Sequence, residues 1–159
     1  ARLDAAGYEQ YEISNVARPG FQSRHNLKYW QGGSWLGFGC GAHATWNGIR
    51  WRNLSSTTDY VGRLRAGETV RIDERALSPG ERVEEALFMG LRLTQGVDLS
   101  AIRLVYGVDV LRRYSDELSR FVDAGLLVVD GPGERLCLTR QGMLLANEIM
   151  MVFIGVAVR

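Results

Sequence analysis

The sequence predicts a mixed fold, α/β in its first part and α+β in its second, divided at Leu77-Ser78. Three observations predict it. Residues 8–53 hold short aromatic and β-branched runs broken by Gly, Pro and Asn, as strands and turns require. Ser78-Pro79-Gly80-Glu81 is a helix-start signature, with Ser78 as cap, Pro79 in the first helical position and Glu81 reaching back. Beyond it, apolar residues recur at helical spacing. The expected division is therefore residues 1–77 and 78–159.

Each element can be justified in order. LDAA reads as the end of a helix closed by Gly7. Tyr8, Tyr11 and Ile13 suit a strand, with Ser14-Asn15 closing it by local hydrogen bonds; Glu9 and Glu12 near Tyr11 read as solvent-facing, with an acid/base pair as the alternative. ARPG, Ala17 to Gly20, is a turn. RHNLKYW, Arg24 to Trp30, reads as a surface turn rich in rings. In WLGFGCGA, glycines 37, 39 and 41 alternate with Leu36, Phe38 and Cys40. As a strand, this would bare one face of the backbone to something bulky, a neighbouring element or a ligand. Asn47-Gly48 signals a hairpin in NGIRWRN. Thr58 to Ala66 is a short helix ended by Gly67.

In the second part, Val83, Leu87 and Leu91 form an apolar helical stripe. Asp98 caps a short helix that stops at Gly107. Asp109 opens a longer one, with Leu111, Tyr114, Leu118, Phe121 and Val122 on one face and Gly125 at its end. LLVVD and RLCL flank Gly131-Pro132-Gly133 as a hairpin. Thr139 caps a last helix carrying Leu144, Leu145, Ile149 and Val152. Three helices, a hairpin and a further helix describe a winged-helix-like module.

Composition narrows the function classes. With 159 residues, 46% hydrophobic and 23% charged, the chain has the content of a globular domain with a real core. No run is long enough for a membrane-spanning helix; IMMVFIGVAV is too short and contains a glycine. The chain opens at Ala1 without methionine or signal peptide, as a piece starting within a helix would. Net charge is +1, about +3 up to Leu77 and −2 beyond it. Arg112, Arg113 and Arg120 on the longest expected helix are outnumbered by Asp109, Asp116, Glu117 and Asp123. A phosphate-facing surface should be net basic, so a winged-helix nucleic-acid binder is the weaker reading. Cys40 and Cys137 read as two small buried thiols and cannot by themselves ligate an iron–sulfur cluster.

The rarest polar chemistry gathers at two places. The two histidines are His25, in RHNLKYW, and His43, in GFGCGAHAT. An imidazole nitrogen at His25 can bind iron, and the Asn26 amide can orient such a ring. Tyr29 and Trp30 supply flat faces for a macrocycle, each with a polar edge for a propionate or water. No further ligands accompany His25, which argues against zinc. The plainer reading is a packed surface turn. His43 is a second ligand, a proton donor at a pocket rim, or a satisfied core histidine, the last being the default.

GYEQYEISNVARPG, RHNLKYW, GFGCGAHAT, ALFMGLRLTQGVDL and LTRQGMLLAN, in that order, resemble the carboxyl-terminal part of the radical S-adenosylmethionine proteins related to oxygen-independent coproporphyrinogen III oxidase. The resemblance runs along essentially the whole chain. The HNxxYW pattern at His25, Asn26, Tyr29 and Trp30 is similar to the haem chaperone branch, where it is implicated in holding haem for client haem proteins. The resemblance implies the last strands and helices of an incomplete (β/α) barrel over residues 1–77. It implies a helical winged-helix-like domain over 78–159. It also implies a [4Fe–4S] cluster and S-adenosylmethionine, but the CxxxCxxC motif holding that cluster is absent here. Catalysis by this chain alone is therefore not expected; porphyrinogen oxidation by a full-length parent is the alternative reading. In oxidase members, Phe-Gln and Ile near a second S-adenosylmethionine correspond to Leu27-Lys28 and His43, and all three differ. Gly39, Gly41 and Ala42, with His43, remain a candidate pocket for a cofactor or porphyrin. The resemblance points to the cytoplasm; peripheral membrane association and a homodimer stay open.

Overall fold

A computed structural model describes residues 2–131 and 134–155. They form a mixed α/β architecture with three small antiparallel sheets and, among the described residues, no closed barrel. Two compact units result: residues 1–32 with 79–159, and residues 33–78. The expected division at Ser78 thus falls where the chain leaves the second unit, while residues 1–32 belong with 79–159.

In the first unit, α1 (Arg2–Ala5) ends at Gly7, whose φ of 76° lets the chain reverse. β1 (Glu9–Glu12) pairs with β2 (Asn15–Ala17) as a tight hairpin with a register shift between Gln10 and Glu12. Glu12 is not solvent-facing as expected. Its carboxylate is fully buried, accepting from the Ser14 backbone N–H at 2.9 Å and the Asn15 side-chain amide at 2.7 Å. RHNLKYW is not a turn but a helix, α2 (Arg24–Trp30), because the Ser23 hydroxyl accepts from the Asn26 N–H.

In the second unit, WLGFGCGA is a loop rather than a strand. Gly39 and Gly41 hold φ of 94° and 70°, outside strand geometry, and a side chain at Gly37 would collide with the His43 carbonyl. The glycines serve backbone curvature and close approach within the unit. β3 (His43–Trp46) and β4 (Ile49–Asn53) form the expected hairpin, with Asn47 and Gly48 both at positive φ. α3 (Thr57–Arg65) is capped by Ser56 and followed by Gly67. β5 (Arg71–Ala76) adds antiparallel to β4.

α4 (Pro79–Gly90) begins at the expected proline and buries Val83 and Leu87, with Leu91 just beyond. The two-residue β6 (Val97–Asp98) leads into α5 (Leu99–Tyr106). The Asp98 side chain accepts from Ala101 N–H at 2.9 Å, and Gly107 ends the helix in the left-handed region. The Ser100 hydroxyl and the Ala101 amide hold the Asp98 carboxyl below its ordinary pKa.

The long helix expected from Asp109 is broken. α6 (Val110–Arg113) stops at Tyr114, and α7 (Ser115–Asp123) follows. Tyr114 sits at the break with its ring fully buried, edge-on to Phe153 at 5.0 Å, and burial pushes its phenol pKa up. Leu118 is buried beside it, but Leu111 and Val122 lie on the exposed surface. β7 (Leu127–Asp130) and β8 (Arg135–Leu138) pair as expected, with β6 on the other side of β8. Pro132 and Gly133 of the expected turn lie outside the described residues.

The last helix is also two pieces. Thr139 caps α8 (Arg140–Leu144), and α9 (Ala146–Met151) follows after Leu145. Leu144 is 84% exposed and Leu145 is exposed too; the break turns Ala146, Ile149, Met150 and Phe153 inward instead. Gly142 lies so close to the Leu126 carbonyl that a Cβ would collide with it. Core residues from α4 to α9 thus close around Leu87, Leu136 and Phe153.

Candidate functional site: the α2 helix and its support

A seven-residue helix repeats every 3.6 residues, so His25 and Tyr29 share one face, and Asn26 and Trp30 another. The His25 imidazole is exposed and meets the Tyr29 ring edge-on, centroids 4.9 Å apart. Tyr29 and Trp30 are half-buried. An exposed imidazole set beside a ring is free to accept a metal from solvent, and the neighbouring ring limits its rotation. The Asn26 backbone N–H donates to the Ser23 hydroxyl at the helix start.

Trp30 has a more constrained setting. The Arg92 guanidinium lies over its indole, 4.4 Å from the centroid, and the same guanidinium donates to the Glu12 carboxylate. Trp30 Nε1 and Arg92 Nε are buried donors without a protein acceptor. Trp30 also lines a cavity of about 320 Å³ with Gly90, Val97, Ile102 and Tyr106, at the small end of ligand sites.

The start of α2 is held as well. Ser23 N–H donates to the Tyr11 hydroxyl at 3.3 Å. The Glu12–Arg92–Trp30 contact escaped the sequence reading. It joins residues eighty positions apart, and a lone Glu at a strand end or a lone Arg in LRLT carries no local signal of it.

The other candidates lie in the second unit. His43 starts β3 and is exposed, not a core histidine. Gly39 and Gly41 shape the loop before it, and Ala42 is half-buried. Asn53 secures that loop, its amide donating to the carbonyls of Gly37 at 3.2 Å and Gly39 at 2.9 Å. The cysteines are not buried as expected. Cys40 is exposed beside Thr57, with sulfur to hydroxyl 3.4 Å; Cys137 is half-buried, donates to the Gln95 carbonyl, and burial raises its thiol pKa. Two such thiols, one in each unit, do not fit a cluster that needs three thiolates. Among the described residues, no group of three or more His, Cys, Asp and Glu is set to hold a metal ion. No described helix is long and apolar enough to cross a membrane.

Residues 77–145 match the family described as the HemN C-terminal domain. Along nearly its whole length the chain is homologous to proteins named as haem chaperones. It is 34% identical over 155 residues to "Heme chaperone HemW" of Bacillus subtilis, covering 98% of this chain and 40% of that one. It is 38% identical over 157 residues to "Heme chaperone HemW" of Mycobacterium tuberculosis, covering 98% and 37%. The chain thus spans about two fifths of the length of these relatives. The fold matches a solved structure titled "Coproporphyrinogen III oxidase (HemN) from Escherichia coli is a Radical SAM enzyme", with a TM-score of 0.73 over 97% of this chain and 38% of that one. Identity there is 18%, so that likeness concerns fold alone.

Proposed function

We propose that this chain supplies the haem-holding surface of a haem chaperone that passes haem to client haem proteins. The observation carrying the proposal is the exposed His25 imidazole, one helical turn from Tyr29, on the helix formed by the HNxxYW residues. Relatives named as haem chaperones support it. Haem is cargo in this reading. His25 offers iron an axial nitrogen, while Tyr29 and Trp30 present ring faces to the macrocycle and Asn26 borders them.

The loop at Gly39, Gly41 and Ala42, with His43, is a second candidate surface for porphyrin or cofactor. We read residues 78–159 as winged-helix-like, with β6, β8 and β7 as the wing sheet. Residues 1–77 are read as the close of an incomplete barrel. A [4Fe–4S] cluster and S-adenosylmethionine belong, in this reading, to chain beyond the present one. A cytoplasmic location, where both free thiols stay reduced, goes with it.

Haemin titration tests the proposal. A Soret band should grow to saturation, and His25→Ala should shift the band and weaken affinity by more than the about 10- to 100-fold that loss of a ligand's outer-shell partner costs. An unchanged spectrum and affinity in His25→Ala, with both lost in His43→Ala, would transfer the ligand to His43.

A further inference from the structure

β1 reaches α2 at both ends. Its Tyr11 hydroxyl accepts from the N–H of Ser23, the residue that caps α2. Its next residue, Glu12, is fully buried and holds the Arg92 guanidinium, which covers the indole of the last α2 residue, Trp30. Arg92 is itself fixed by the strand. Its carbonyl accepts from Ile13 N–H at 3.0 Å, and Thr94 N–H donates to the Tyr11 carbonyl at 3.2 Å.

A charged pair in this position calls for explanation. Burying a carboxylate costs several kcal/mol in general, and well-packed apolar side chains often replace such a pair without loss of stability. Here the carboxylate has three donors, Arg92, Ser14 and Asn15, so it is fully engaged. What apolar side chains cannot supply is a flat cation set across one indole face. That contact restricts the indole plane and keeps cationic charge against it. Both neighbouring donors, Trp30 Nε1 and Arg92 Nε, are buried without a protein acceptor.

We infer that Glu12 and Arg92 are positioning residues for haem binding, acting through Trp30: Glu12 anchors Arg92, and Arg92 fixes the indole against which the macrocycle packs. The inference rests on the haem-holding reading of α2. Glu12 and Arg92 need not touch haem themselves.

The test uses the double variant Glu12→Gln/Arg92→Met, which removes the pair without stranding one buried charge, and Arg92→Lys, which keeps the charge but loses the flat stack. Each is compared with wild type by thermal melting, by haemin titration with haem-loss kinetics, and by the Trp30 indole N–H resonance without haem. Trp30→Phe identifies that resonance. Expected are folded variants, a shifted Trp30 resonance and haem loss about tenfold faster in the double variant, with Arg92→Lys intermediate. Should the double variant fail to fold, Arg92→Lys decides alone. Wild-type haem spectra and loss rates in the folded variants would overturn the positioning role and leave the haem reading standing. Failure of the wild type to bind haem would overturn both, the haem reading first.

Discussion

Residues 79–159 close a core among Leu87, Tyr114, Leu136, Ile149 and Phe153, all fully buried, whereas residues 33–78 bury only Ala44, Thr45, Trp51 and Asn53. The second set is held by other means. Arg71 lies over the Trp51 ring at 4.2 Å, Arg52 pairs with Asp73 at 2.6 Å, and Asn53 ties down two loop carbonyls. The helix α3 contributes no buried residue, and Phe38 is 85% exposed. One region is stabilised chiefly by apolar area; the other depends on ladder pairing and a few polar fixings, which water competes for.

The largest effect should come from the apolar core. Leu87→Ala removes a fully buried side chain from α4 and should cost about 3 to 4 kcal/mol in urea unfolding. A loss below about 1 kcal/mol would mean that the site collapses freely and that the contrast with residues 33–78 is overdrawn. Asn53→Ala should cost about 2 kcal/mol by stranding the carbonyls of Gly37 and Gly39. Its signature should be local: amide exchange accelerates in β3 and β4, while α4 and β8 keep their protection. Equal acceleration throughout would show that the two units unfold as one.

A smaller effect is expected at the α8 cap. The Thr139 hydroxyl accepts from Gly142 N–H at 3.0 Å and donates to the Gly125 carbonyl at 2.8 Å. Thr139→Ala should therefore cost about 1 kcal/mol, measured by thermal melting, and a neutral result would assign the start of α8 to packing alone. The mildest contrast is chemical and leaves stability untouched. Burial raises the Cys137 thiol pKa, so it stays protonated to higher pH than an ordinary thiol, while Cys40 is exposed. Peptide mapping after brief iodoacetamide treatment near pH 8 should find Cys40 alkylated first, with the gap narrowing as pH rises. Faster labelling of Cys137 would contradict its burial.

Much of this architecture was legible because its signals are local. Pro79 at a helix start, Asp98 and Gly107 bounding α5, and Asn47-Gly48 between β3 and β4 each act within a few residues. Apolar periodicity alone misleads at two helices. One helical stripe through Leu111 and Val122, and another through Leu144 and Leu145, would require straight helices. The chain instead breaks at Tyr114 and Leu145 to turn Tyr114, Ile149 and Phe153 toward one another. Alternating glycines likewise imitate a strand, yet Gly39 and Gly41 take positive φ and make a loop.

The candidate site divides in the same way. By itself, the sequence determined the membership of RHNLKYW, the identity of its donor and rings, and the homology that those motifs carry, because residue types and short spacings are written directly in it. Only the tertiary structure decided that the segment is a helix with His25 outward. It alone brought Glu12 out of solvent to hold Arg92 against Trp30. That contact spans eighty residues, and its energy depends on burial and ring geometry, which no local pattern encodes.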